Sequence, residues 1–95
     1  MRTVTKNALN CFYNKGNWNF SNTSVITEGN ITKMFLFGNL IAKIENDKLF
    51  ITNAGWKSNT TKERLNGLKG VNIFQKNGEW FLNGEKWNGK LIEIK

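Results

Sequence analysis

Between Trp56 and Lys69 the chain reads WKSNTTKERLNGLK, setting Lys57, Lys62, Arg64 and Lys69 among Ser58, Thr60 and Thr61. Cations and hydroxyls beside the open amides of a helix N-terminus are groups that hold a phosphate. Further on, Phe74, Trp80, Phe81 and Trp87 are interleaved with Lys76, Lys86 and Lys90. Aromatic faces that stack bases, flanked by ammonium groups that follow the backbone, hold single-stranded nucleic acid. Lys57, Lys62 and Arg64, then Trp56, Trp80 and Trp87, are therefore the candidate residues for binding nucleic acid or a protein partner. Each also has a plainer reading. Thr60-Thr61-Lys62-Glu63 fits a capping box, with Thr60 as cap and Glu63 reaching back to its amide. Trp56 can close the end of a sheet, and in so short a chain most aromatics belong to the core. Arg64 and Arg2 are the only arginines, against twelve lysines. A planar guanidinium in such a background points to a specific contact, with an internal carboxylate as readily as with a phosphate.

Other chemistry is poorly supplied. Histidine is absent and Cys11 is the single cysteine, which excludes zinc sites and Cys/His or Ser/His catalysis in their usual forms. The carboxylates fall mostly in turns or at strand ends, and no glycine-rich nucleotide cradle is present. The chain reads as non-catalytic, with no metal and no cofactor. Cys11 can form no internal disulfide and is expected as a small buried residue.

Ninety-five residues make one domain, 1–95, with one modest core. The net charge of +7 favours acidic partners, DNA or RNA first, although the abundance of Lys, Asn, Ile and Phe also matches an AT-rich coding background. No apolar run is long enough to span a membrane, and the N-terminal residues lack the apolar stretch of a signal peptide. The expected location is intracellular.

The elements that must position these residues follow from periodicity. Val4, Ala8, Cys11 and Phe12 lie on one helical face, so residues 4–13 read as a helix with Thr3 as cap. Asn14 to Asn22 reads as a loop anchored by Trp18 and Phe20. From Thr23 the period becomes two. Strands are expected at 24–27, 31–37, 40–45 and 48–52, joined by turns at Glu28-Gly29-Asn30, Gly38-Asn39 and Asn46-Asp47 into a meander. Apolar residues on both faces of Ile31–Phe37 suggest a central strand covered on two sides. A short helix follows Thr60, with Leu65 and Leu68 inward and Gly67 or Gly70 as its stop. Strands at 71–76, 79–82, 85–87 and 90–95 are then separated by Asn77-Gly78, Asn83-Gly84 and Asn88-Gly89, the dipeptide favoured in two-residue hairpins. The fold class is α+β: an N-terminal helix, an antiparallel meander, a short helix and a C-terminal β-ribbon.

The segment LFGNLIAKIENDKLFITNAGWKSNTTKERLNGLKGVNIFQKNGEWFLNG resembles a pattern found in small bacteriophage and prophage proteins. There a Gly-Asn-x-Ile-Ala strand precedes Ala-Gly-Trp-x-Ser/Thr-x-Thr-Thr-Lys-x-Arg-Leu-Asn, and a Gln-Lys-x-Gly-x-Trp ribbon comes after. The likeness covers residues 23–89, with Gly38, Asn39, Ile41, Ala42, Gly55, Trp56, Thr60, Thr61, Lys62, Arg64, Leu65 and Asn66 at motif positions. It implies a phage setting, with the host cytoplasm as the expected location, and attaches no reaction or ligand. Three roles are consistent with the residues: a nucleic-acid-binding accessory protein, an inhibitor of a host enzyme or antiviral defence system, and a virion-associated structural protein.

Overall fold

The computed structural model describes residues 3–55 and 57–94. Its elements run α1 (Thr3–Tyr13), β1 (Trp18–Phe20), β2 (Thr23–Glu28), β3 (Ile31–Leu36), β4 (Asn39–Glu45), β5 (Lys48–Ile51), α2 (Asn59–Asn66), β6 (Ile73–Lys76), β7 (Glu79–Leu82), β8 (Glu85–Lys86) and β9 (Ile92–Ile94). Strands β1 to β5 are sequential antiparallel neighbours, and β9 pairs antiparallel with β5 to complete a six-stranded sheet. A separate three-stranded sheet, β6-β7-β8, forms the ribbon. The expected α+β order holds, and its pieces connect differently at the C-terminal end. The sequence pattern continues the ribbon through Lys90–Lys95, yet Ile92–Ile94 leaves it for the edge of the larger sheet.

The meander follows its turns. Asn46-Asp47, Asn77-Gly78 and Asn83-Gly84 hold positive φ at both central residues, the geometry whose twist matches paired strands. The expected Gly38-Asn39 turn sits one residue earlier, at Phe37-Gly38 with φ of 52° and 79°. The pairing of β3 with β4 slips at Met34/Phe35, so β4 carries one extra residue there. The third Asn-Gly step makes no hairpin. Gly89 has φ +86, and a Cβ there would lie 2.2 Å from the Asn53 amide nitrogen. Its carbonyl accepts from Asn53 N at 3.0 Å and Thr52 Oγ1 at 2.6 Å. Asn88-Gly89 thus docks the chain against the end of β5 on its way to β9.

The core lies on one face of the large sheet. Val25, Met34, Ala42 and Ile51 are in mutual register and each is 0% exposed. Helix α1 packs over β1, β2 and β3. It buries Thr5, Ala8, Leu9 and Phe12, a stripe rotated from the expected one, with Val4 and Cys11 only half-buried at its flank. The rotation brings Thr5 inward because its hydroxyl finds partners on α2. Thr3 falls inside the helix and is not its cap. Trp18 and Phe20 belong to a short strand instead of a loop; Trp18 packs against the core, whereas Phe20 is 58% exposed. The ribbon contributes Ile73, Trp80 and Leu82 to the same core, and the Asn66 side chain clasps Ile73 through both its backbone N–H (2.6 Å) and carbonyl (3.0 Å).

Candidate functional site

The cationic stretch around α2 is largely internal. Ser58, not Thr60, is the N-cap: its Oγ accepts from Thr61 N at 3.1 Å and lies 2.9 Å from Thr61 Oγ1. Starting the helix at Asn59 turns Thr61, Arg64 and Leu65 inward at i, i+3 and i+4. Glu63 is consequently engaged with Arg64 and does not reach back as a capping-box partner. Arg64 is 2% exposed. Its Nε donates to Thr23 Oγ1 at 3.2 Å, and its terminal nitrogens reach Thr5 Oγ1 (2.5 Å), the Glu63 carboxylate and Asn22 Oδ1 (3.4 Å). Thr5 Oγ1 also donates to Glu63 Oε1 at 2.9 Å. The guanidinium therefore ties α2 to α1 and to the β1–β2 end of the sheet. It acts as a buried clamp with no open face for a phosphate.

The other candidates divide. Lys57 is exposed, and Lys62 is half-buried with its ammonium donating to Gln75 Oε1 at 3.2 Å. Trp80 is 0% and Trp87 7% exposed. Their rings meet at 6.2 Å and 41°, so neither offers a free face for a base. Trp56 lies outside the described residues. Lys57, Trp80 and Trp87 do converge on one surface depression, whereas Arg64 and Lys62 are not part of its lining. On the outer face of the ribbon Phe74 and Phe81 stack on each other at 5.0 Å and 7°.

The more complete aromatic and basic surface is one the sequence reading did not single out. The side of the large sheet opposite the core is covered by neither helix. There, Ile26, Lys33, Lys43 and Phe50 run across β2 to β5 in direct register, and Phe35 stands opposite Leu40. Ile26 is 41% exposed, and Lys33, Phe35, Leu40, Lys43 and Phe50 are half-buried, as expected for side chains that touch only their neighbours on an open face. Lys33 and Lys43 are directly opposed, a like-charge pairing that weakens a sheet. The Lys43 ammonium is compensated by Glu45 Oε1 at 3.0 Å and by the Phe50 ring, 5.2 Å below it. In the turn between β3 and β4 Phe37 is 70% exposed and left-handed. The expectation that β3 is covered on two sides is corrected here: Thr32, Met34 and Leu36 are buried, while Ile31, Lys33 and Phe35 face outward. Lys33 in the middle of ITKMFLF was the available signal, since a strand buried on both sides has no place for an ammonium.

Among the described residues no group of three metal-ligating side chains comes together, and no helix is long and apolar enough to cross a membrane. No curated protein and no solved structure shows significant similarity to the chain. Its sequence does match one family over residues 1–93, nearly its whole length and including the N-terminal helix that the motif likeness did not reach. That match supports the phage setting: the chain belongs to the Kyanoviridae Gp96 protein family, a bacteriophage family.

Proposed function

We propose that the protein is a non-catalytic phage accessory protein that binds single-stranded nucleic acid, or a complex displaying it, along the open face of its six-stranded sheet. The observation that carries the reading is the opposed pair Lys33 and Lys43 between the rings of Phe35 and Phe50. A nucleic-acid backbone would take Lys33 directly and compete with Glu45 for Lys43, and bases would stack on the neighbouring rings. The net charge of +7 steers a polyanion toward the protein. Fluorescence anisotropy against single- and double-stranded DNA and RNA at low salt tests this. Single strands should bind best, and affinity should fall by roughly 0.7 log unit per phosphate contact per log unit of salt. Lys33→Glu with Lys43→Glu should abolish binding, and Phe35→Ala should cost about 1–3 kcal/mol. The reading fails if no nucleic acid binds at micromolar protein, or if the double charge reversal binds like the wild type.

One observation favours a protein partner as the second reading. Phe37 is 70% exposed in a left-handed conformation, so neither packing nor backbone preference accounts for an aromatic there. Exposed aromatics of this kind anchor interfaces, as an inhibitor of a host enzyme or defence system would need. A stoichiometric protein captured from nuclease-treated host lysate, and lost with Phe37→Asn, would favour it.

A further inference from the structure

The register of the ribbon puts five side chains on its outer face: Phe74 and Lys76 of β6, Glu79 and Phe81 of β7, and Lys86 of β8. Ile73, Trp80 and Leu82, which alternate with them, are buried in the core, so this face looks outward. Phe81 lies between Phe74 and Lys86 in one cross-strand row. The two rings stack almost parallel, with centroids at 5.0 Å and planes at 7°. A cross-strand pair of rings steadies a hairpin, yet Phe74 remains 46% exposed. It stands on the edge strand of the order β6-β7-β8, so no strand follows to cover the side of its ring away from Phe81. Helix α2 reaches β6 through Asn66 on Ile73 and Lys62 on Gln75. Those residues alternate with Phe74, and its ring is left open.

We propose that the ribbon's outer face is a second contact for single-stranded nucleic acid, so that one molecule holds two segments of strand at once. The inference rests on the nucleic-acid reading of the open sheet face and extends it from one site to two. An unpaired base continues the Phe81–Phe74 stack from its open end, since every base offers a planar face. Lys76 and Lys86 take the phosphates. The charge suits a polyanion: the face carries these two ammonium groups against the one carboxylate of Glu79. That carboxylate holds Lys86 at 2.8 Å, but the side chains of Glu79 and Lys86 are 48% and 68% exposed. An ion pair this open to water is weak enough for a phosphate to displace. The inner sides of the ribbon and of the large sheet meet the same core, so the core separates the two binding faces. Three short strands grip fewer nucleotides than six, which makes the ribbon the weaker site, filled only after the sheet.

Native mass spectrometry of the full-length protein at low salt counts the strands bound per chain. The probe is a single-stranded oligothymidylate of about six nucleotides, a length that one small β-surface covers. The wild type should take up one oligonucleotide and then a second at higher concentration. Phe74→Ala with Lys86→Glu, both at exposed positions, should remove only the second event. Phe74→Ala alone should weaken it roughly tenfold through the loss of one stacked base. Glu79→Gln should strengthen it roughly two- to fivefold by freeing Lys86. Lys33→Glu with Lys43→Glu should remove the first event and leave the second. No binding by the wild type sinks the sheet reading and this one together. A single event that is lost with the sheet reversal and untouched by the ribbon changes leaves the sheet reading standing and overturns the second site. A second event indifferent to Phe74, Lys86 and Glu79 also overturns it. A single event lost with the ribbon changes alone overturns both the sheet reading and the two-site proposal.

Discussion

Replacing Arg64 by Met separates a structural clamp from a ligand contact. Met restores much of the buried volume and removes the guanidinium, and with it the bonds to Thr5, Thr23, Asn22 and Glu63. Breaking a buried pair by removing one partner costs about 3–5 kcal/mol. Glu63 retains 28% side-chain exposure, and the threonine hydroxyls can rotate to new acceptors, which places the loss near the lower figure. About 3 kcal/mol is a large part of the roughly 5–15 kcal/mol available to a domain. It corresponds to a fall in Tm of roughly 12–24 °C at this size. Arg64→Lys, which keeps the charge but cannot fork between Thr23 and Thr5, should lose about 2 kcal/mol. Urea and thermal unfolding followed by circular dichroism give the values. Nucleic-acid affinity, measured well below Tm, should be unchanged. A variant that keeps wild-type stability and loses binding would refute the clamp and return Arg64 to the binding surface.

The remaining predictions concern local geometry. Ser58→Ala should cost about 1 kcal/mol through loss of the N-cap, whereas Thr60→Ala should stay within about 0.5 kcal/mol; the reverse order in denaturant titrations would place the cap at Thr60. Phe37→Asn should stabilise the protein by about 0.5–1 kcal/mol, because Asn accepts the left-handed position at the start of this turn and little burial is lost; a fall in Tm would show that the ring packs. Gly89→Ala should destabilise by about 2–4 kcal/mol, combining a left-handed alanine with a methyl forced onto the Asn53 side chain, and wild-type unfolding would contradict that contact.

What could be read from the sequence was local. Asn46-Asp47, Asn77-Gly78 and Asn83-Gly84 declare their turns because few residues tolerate positive φ, and Gly67 ends α2 as expected. The errors came where a local signal met a tertiary demand. Asn88-Gly89 carries the same dipeptide, yet the Thr52 and Asn53 contacts fix it as a docking bend. The capping-box pattern at Thr60 was overruled by the need to turn Arg64 and Leu65 inward. Ile92–Ile94 reads equally well as another ribbon strand, and only the free edge of β5 decides its place. The six candidate residues have the chemistry of a binding surface and equally that of a core, and only tertiary packing decides which. Arg64, Trp80 and Trp87 are internal, whereas the open sheet face depends on which side of β3 the helices leave uncovered.

The return of β9 to β5 has a consequence for how the molecule forms. Strands β1 to β5 are joined by short local hairpins and can assemble early, but the partner of β5 comes from beyond α2 and the whole ribbon. Until that distant segment arrives, the KLFI strand presents a bare, proline-free backbone edge with apolar side chains, an invitation to pair with another chain. Late closure of this kind is slow because the intervening loop must be ordered first. A change that delays or removes the final strand should therefore leave this edge open to pairing with other chains and lower the yield of soluble protein.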